Sequence, residues 1–276
     1  ARRRWQAEQQ ARAELARSVA ELKRVLRLPP PQPAPAQGEG RGRGDASASA
    51  TTSSALDTAS AAALLTGCGV PLAPFAFARS AEEAVAGAQR LGYPVALKIE
   101  SPGILHKTEA KGVKLALGSS EAVVAAFGEI MDNARRYQPA ARIEGVLVQK
   151  MCEGEVELVV GLHHDAVFGV VVMVGLGGIH VEVLKDVVFR KAPVAEAEAG
   201  RMLDELRAGA ILRGVRGSAP VDRAALTGLI SALSRLGAAA EGRLKELDLN
   251  PVLAGPAGAT AVDWLMVLDG QEAQRA

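Results

Sequence analysis

Apolar and polar positions between residues 55 and 270 follow the period of a helix in some segments and that of a strand in others. The predicted helices are 55–67, 80–92, 123–134, 196–208 and 222–236. The predicted strands are 75–78, 95–99, 113–117, 146–151, 156–161, 167–174, 244–249 and 260–267. Because several strands follow one another directly and helices are interspersed, the pattern predicts an α+β chain of two subdomains rather than a doubly wound parallel sheet.

The first part of the chain follows a different pattern. Apolar residues recur at helical spacings within residues 2–28, and prolines from Pro29 onward end that helix. Residues 29–54 carry almost no large apolar side chain, so they cannot bury enough surface to offset the entropy of ordering. We expect 1–28 to be the tail of a neighbouring domain or a docking element, 29–54 to be a disordered linker and 55–276 to be the globular domain.

Composition and charge narrow the class of protein. The 276 residues are 49% hydrophobic and 23% charged, which is typical of a globular protein large enough to be an enzyme. Thirty-two basic and 31 acidic residues give a formal charge of +1, so the overall field favours neither nucleic acid nor an anionic membrane. Cys68 and Cys152 lack the spacing of a zinc site or a disulfide scaffold, and we expect a cytoplasmic protein. A start at Ala1 rather than Met suggests a fragment or a processed chain.

Asn250 and Asp263 are equidistant from a turn signal over residues 255–258. In a regular hairpin the two residues face each other, with Cβ atoms about 4.5–5.5 Å apart. One oxygen from each side chain then suits a hard cation such as Mg²⁺, which keeps water and phosphate oxygens as its other ligands. The alternative is a hairpin that polar contacts stabilise and that binds no metal.

Two segments carry basic or imidazole side chains that are candidates for phosphate chemistry. Lys98 lies within an otherwise apolar strand, where its ammonium either reaches solvent or meets an anion. His106 and Lys107 lie on a long loop between two predicted strands. A neutral imidazole is a nucleophile toward a phosphoryl group, and the adjacent cation neutralises transferred charge. The length of the loop predicts that it moves, while an ordinary loop histidine is the alternative.

Nine segments follow one another along the chain: Gly92-Tyr-Pro-Val-Ala-Leu-Lys98, Ser101-Pro-Gly-Ile-Leu-His-Lys107, Gly112-Val113, Gly145-Val-Leu-Val-Gln-Lys-Met151, Glu157-Leu-Val-Val-Gly161, Asp165-Ala-Val-Phe-Gly169, Gly175-Leu-Gly-Gly178, Leu212-Arg-Gly-Val-Arg-Gly217 and Glu246-Leu-Asp-Leu-Asn-Pro251. In this order they resemble the ATP-grasp domain (β-type) of ADP-forming acyl-CoA synthetases, a family related to the β subunit of succinyl-CoA synthetase. The resemblance covers roughly residues 56–269. Nine ordered segments are far more specific than one glycine pattern.

The resemblance implies an ATP-grasp fold with ATP or ADP and Mg²⁺ between two α+β subdomains. It implies that His106 is a phosphorylatable catalytic residue and that Asn250 and Asp263 hold Mg²⁺. The nucleotide-binding residues that it implies are Lys98, Lys107, Gln149, Lys150, Met151, Glu157 and Glu182. Lys111 departs from the family, whose members commonly have glycine there, and a lysine makes the loop stiffer and more cationic.

The resemblance also implies a reversible reaction in which acyl-CoA, phosphate and ADP give an acid, CoA and ATP through a phosphohistidine relay. The chain carries no segment that resembles the family's CoA-binding or ligase parts, so a partner domain or subunit is expected. Two alternatives stay open. One is a regulatory, nucleotide-sensing ATP-grasp module of a protein acetyltransferase, and the other is a carboxylate-amine ligase.

Overall fold

A computed structural model describes residues 54–104, 106–177, 186–215, 217–240 and 242–269. The predicted helix over 1–28, nearly all of the predicted linker and Glu182 lie outside the described residues. The described α-helices are α1 (Thr58–Gly67), α2 (Ala81–Leu91), α3 (Ser120–Tyr137), α4 (Glu196–Glu205) and α5 (Arg223–Ala239), with a 3₁₀ turn at Gly209–Arg213. The strands are β1 (Ser54–Ala55), β2 (Phe75–Ala78), β3 (Val95–Glu100), β4 (Val113–Leu117), β5 (Gly145–Lys150), β6 (Val156–Asp165), β7 (Gly169–Leu176), β8 (Val187–Lys191), β9 (Leu244–Gly255), β10 (Gly258–Ala261) and β11 (Trp264–Leu268).

The strands form two sheets, and every pair within them is antiparallel. The smaller sheet has the order β2-β5-β3-β4. The larger sheet has the order β1-β11-β9-β6-β7-β8, and β10 pairs with the distal half of β9. Consecutive antiparallel strands with helices on them confirm the predicted α+β class and exclude a doubly wound parallel sheet.

Each sheet has its own apolar core, which defines the two subdomains. Helices α2 and α3 pack on the small sheet around buried residues such as Ala88, Leu97 and Ile130. Helices α1, α4 and α5 bury their apolar residues against the large sheet, among them Leu65 and Leu233. The smaller subdomain therefore spans β2 to β5, and the larger one combines α1 with the rest of the described chain.

Short-range signals fix the helix ends. The Ser80 side chain accepts a hydrogen bond from the Glu83 amide at 3.2 Å, while the Glu83 carboxylate accepts from the Arg79 amide at 2.7 Å. This is the predicted start of α2, with the reciprocal bond displaced by one residue. Gly92 ends the helix at a φ of 80°, a left-handed conformation that disfavours a side chain.

Several predicted boundaries were wrong for local reasons. Residues 167 and 168 form a turn rather than the start of a strand, because the Asp165 carboxylate accepts hydrogen bonds from both of their amides. The predicted strand 260–267 is two strands, β10 and β11. The short strands β1 and β8 were missed, and Ala55 pairs with Val267 in β1 instead of starting a helix.

No helix among the described residues is long and apolar enough to cross a membrane.

Candidate functional site

A cavity of about 900 Å³ lies between the two subdomains. One side is the loop wall, formed by residues 101, 102, 104 and 106–109 with Glu100 and Val113. The facing side is the hairpin wall, formed by Asp248, Asn250, Asp263 and the residues beside them. The first turn of α1 closes the cavity at one end, and Arg142 and Glu144 also line it. Four of the predicted site residues line this one cavity: His106, Lys107, Asn250 and Asp263.

The hairpin wall has the register that the sequence predicts. Gly255 pairs with Gly258 at the turn, and the Asn250 amide donates to the Asp263 carbonyl at 3.2 Å. The strands β10 and β11 both pair with β9 and are separated by Val262 and Asp263, so the Asp263 side chain lies at a break in the sheet edge. Asn250 and Asp263 are thus opposed across the hairpin.

The donor set of this wall fits a magnesium ion. Asp263 offers its carboxylate, and the Asn250 amide group donates to Asp248, which leaves the amide oxygen as a ligand. Among the described residues, no three His, Cys, Asp or Glu side chains group around a metal position. Two oxygen ligands suit Mg²⁺, which usually keeps several waters or phosphate oxygens, and do not suit a structural zinc site.

Asp248 is a site residue that the sequence reasoning did not single out. Burial raises its pKa to about 6, the charges of Glu246 and Asp263 add to the rise, and the hydrogen bond from Asn250 opposes it. Asp248 lies two residues before Asn250 in the same strand, so both side chains face the cavity. The alternation of polar and apolar residues from Glu246 to Asn250 was the signal that could have identified it.

Lys98 lies behind the hairpin wall and does not line the cavity. Its side chain is nearly buried, and its ammonium donates to the Val262 carbonyl at 2.7 Å and lies 3.7 Å from the Asp263 carboxylate. Burial lowers the pKa of Lys98, and the charge of Asp263 opposes that shift. Lys98 therefore joins the small sheet to Asp263, one of the two side chains that are predicted to hold the cation.

The loop wall is more firmly anchored than the length of the loop predicted. Ile104 and Ala110 are buried in the smaller core. The Gly112 amide donates to the Lys107 carbonyl at 2.8 Å, and the Ala110 amide donates to the His106 carbonyl at 3.2 Å. The His106 side chain is nevertheless exposed toward the cavity. The loop thus presents an accessible imidazole on a constrained backbone, because short-range turns and buried anchors on both sides of His106 restrict it.

The other predicted nucleotide contacts that the structure describes lie away from the cavity wall. Gln149 is 2% exposed on β5, and its Nε2 has no hydrogen-bond partner among the described residues. The Lys150 ammonium donates to the carbonyls of Gly92 and Tyr93 at 2.8 and 2.9 Å. Met151 follows that strand, and Glu157 lies on β6 in the larger subdomain. Their roles toward a nucleotide stay predictions.

Residues 47–268 match the family described as the ATP-grasp domain. Over 209 residues the chain is 46% identical to an ADP-forming acetate–CoA ligase I of Archaeoglobus fulgidus, and the match covers 76% of this chain and 30% of that protein. Over 200 residues it is 44% identical to the β subunit of ADP-forming acetate–CoA ligase I of Pyrococcus furiosus, covering 72% of this chain and 86% of that subunit.

A solved structure resembles the fold over most of its length. It is a dinucleotide-forming acetyl-coenzyme A synthetase 1 of Ca. Korarchaeum cryptofilum, in complex with coenzyme A, Ca-AMPCP and HgCl⁺, with a TM-score of 0.75 and 41% identity. The match covers 78% of this chain and 93% of that chain. A second structure of that synthetase contains coenzyme A and Mg-AMPPCP, with its phosphohistidine segment pointing towards the nucleotide binding site. Its TM-score is 0.67 at 38% identity, covering 78% and 92% of the two chains.

Proposed function

The chain belongs to the ATP-grasp domain family, and on that premise we propose that it is the nucleotide-binding, phosphoryl-transferring part of an ADP-forming acyl-CoA synthetase. One observation carries the proposal. A single cavity brings an exposed histidine, His106, opposite a carboxylate and an amide, Asp263 and Asn250, that suit a magnesium ion. A nucleophile and a cation site on facing walls are what transfer between a histidine and a nucleotide requires.

The proposed net reaction converts acyl-CoA, phosphate and ADP into an acid, CoA and ATP, and it is reversible. In the direction that uses ATP, the unprotonated nitrogen of the His106 imidazole attacks the γ-phosphorus. A nitrogen–phosphorus bond forms, the bond to the oxygen that bridges the β- and γ-phosphorus breaks, and ADP leaves with that electron pair. The other ring nitrogen keeps its proton, so the ring becomes cationic and is a good leaving group for the reverse step.

The other residues bind and orient the reactants. Asn250 and Asp263 would hold Mg²⁺, which neutralises charge on the phosphate oxygens. Lys98, which already lies beside Asp263, would contact a nucleotide phosphate, and Lys107 would bind the transferred group. Gln149, Lys150 and Met151 would line the adenine pocket, with Glu157 and Glu182 as further nucleotide contacts. The orphaned Nε2 of Gln149 supports this, since a buried donor without a partner favours a ligand acceptor.

We propose that complete turnover needs a partner that binds CoA and the acyl group. The chain spans about 30% of the length of the Archaeoglobus relative, but most of the separate Pyrococcus subunit. The Korarchaeum synthetase has a phosphohistidine segment that points towards its nucleotide site, and a corresponding partner segment would deliver the phosphoryl group here. A cytoplasmic location fits this reaction and belongs to the same proposal.

Calorimetry and radiolabelling together test the function. We expect ADP to bind with Mg²⁺ and to bind far more weakly when EDTA removes it. We also expect the purified chain to take up acid-labile label from γ-labelled ATP. A folded chain without magnesium-dependent binding would refute the nucleotide site. Binding without any label, with the partner present as well, would instead favour a regulatory nucleotide-sensing module.

A further inference from the structure

Glu100 is a buried carboxylate in the cavity wall, and the proposed reaction assigns it no role. It ends β3 and is 6% exposed. One carboxylate oxygen accepts a hydrogen bond from the Lys107 ammonium at 2.5 Å, and the other accepts a short hydrogen bond from the Thr58 hydroxyl. A buried charge with both oxygens satisfied is held in one position, because losing either contact leaves it poorly solvated.

The three residues come from three different parts of the fold. Thr58 is the first residue of α1, which packs in the core of the larger subdomain. Glu100 belongs to the small sheet, and Lys107 belongs to the loop wall directly after His106. Glu100 therefore ties the loop to a strand of its own subdomain and to a helix of the other one.

The bond to Glu100 restricts where the Lys107 ammonium can go. A lysine side chain has several rotatable bonds and three N–H donors. Among the described residues, the hydrogen bond of this ammonium is made to Glu100, so two donors remain for other acceptors. The Lys107 side chain is still about one-fifth exposed, and it lines the cavity together with His106.

We propose that Glu100 is a positioning residue: it fixes the Lys107 ammonium beside His106, where the ammonium binds oxygens of the transferred phosphoryl group. Thr58 in turn fixes Glu100. The residue acts through Lys107 and does not touch the phosphoryl group itself, since its own charge would repel those oxygens. This inference rests on the proposed phosphoryl transfer to His106.

The experiment measures the initial rate of acid-labile labelling of the whole chain from γ-labelled ATP with Mg²⁺. We expect Glu100→Gln to lower the rate about tenfold, equivalent to about 1.4 kcal/mol, and to leave the Kd for Mg-ATP within about twofold. Lys107→Met should lower the rate at least as far. The double variant should be no slower than Lys107→Met, because Glu100 acts only through Lys107.

Matched variants separate positioning from simple destabilisation. Glu129→Gln breaks a second Lys–Glu ion pair of the same subdomain, with Lys114, that is more exposed and lies outside the cavity wall, and its labelling rate should equal that of the unchanged chain. Glu100→Asp keeps the charge but shortens the side chain, so its rate should be intermediate. Thr58→Val removes the hydroxyl at nearly constant volume and should lower the rate about threefold. If Glu100→Gln fails to fold, these last two variants carry the test.

Each result has one meaning. An unchanged rate in Glu100→Gln, or a faster one, would overturn the proposal, and a faster rate would mean that Glu100 competes with the phosphoryl group for Lys107. Fully additive losses in the double variant would also overturn it. No label on the unchanged chain, with or without its partner, would refute the proposed function first, and the role of Glu100 would fall with it.

Discussion

The two walls of the cavity carry different functional groups on different kinds of backbone. The hairpin wall is acidic, and its residues Asp248, Asn250 and Asp263 lie on or between strands of the large sheet. The loop wall presents an imidazole and an ammonium, His106 and Lys107, on irregular backbone that buried anchors hold. The position of the proposed cation site therefore depends on strand register, whereas the position of the proposed nucleophile depends on contacts that hold a loop in place.

The largest effect is expected from substitutions that remove the nucleophile of the loop wall. We expect His106→Ala and His106→Asn to bind Mg-nucleotide with an unchanged Kd but to lose turnover with the partner by at least about 1000-fold, because neither side chain accepts a phosphoryl group. Calorimetry and a coupled ATP assay measure the two quantities. Residual turnover within about tenfold of the unchanged enzyme would mean that the partner histidine reaches ADP directly.

Substitutions in the hairpin wall should instead weaken nucleotide binding. Asp263→Asn should weaken Mg-nucleotide binding about 10- to 100-fold, because it removes a charged ligand opposite Asn250. Asp269→Asn, six residues further along and outside the cavity wall, should change the Kd less than about twofold. Titration calorimetry at fixed Mg²⁺ compares the two, and equal effects would remove the metal-pair hypothesis.

Asp248 predicts a pH dependence of stability. Its folded pKa of about 6 lies above the ordinary value of 3.8, so the folded state binds the proton more tightly. Below about pH 4 this carboxyl is protonated in the folded chain and does not destabilise it. As the pH rises through 6 the carboxyl ionises in its buried position, and the folded state loses stability. After allowance for partial solvent exposure, Asp248→Asn should stabilise the chain by about 1–2 kcal/mol at pH 7.5.

Urea unfolding of both chains at pH 4 and pH 7.5 checks this prediction. The gain from Asp248→Asn should shrink toward zero at the lower pH, where the carboxyl of the unchanged chain is protonated. A variant that is less stable at pH 7.5, or a gain that does not depend on pH, would contradict the assigned cause.

The smallest effect is expected from the N-terminal segment. Deleting residues 1–53 should leave the Kd for Mg-ADP within about twofold, because the linker from residue 29 onward offers little to bury and both cavity walls lie beyond the deleted segment. Ser54 is kept, since its backbone pairs with Leu268. Loss of cooperative unfolding in the shortened chain would move the proposed domain boundary toward the N-terminus.

The hairpin wall could be predicted from the sequence because its geometry is a matter of counting. Residues at equal distances from a two-residue turn pair with each other, and Asn250 and Asp263 satisfy that count. The same alternation along the strand could have identified Asp248. The pattern did not predict the break between β10 and β11, which divides the single predicted strand into two.

The loop wall could not be derived in the same way. His106 and Lys107 were identified by their chemistry and by family resemblance, but part of what holds the loop comes from contacts between residues that are distant in sequence. Thr58 and Glu100 are 42 residues apart in sequence, and no periodic pattern links them. Similarly, the Lys98 contact with Val262 spans 164 residues, so only the folded chain revealed that Lys98 lies behind the hairpin.

The central claim is that this chain carries a phosphoryl group on His106, and mass spectrometry tests it most directly. The chain is incubated with Mg-ATP and digested under mildly alkaline conditions, and the peptide that spans 99–111 is fragmented. We expect one phosphoryl group on His106, which is lost after acid treatment and on addition of excess ADP. The absence of phosphate on this peptide, with the partner present as well, or its location on His163, His164 or His180, would contradict phosphoryl transfer through His106.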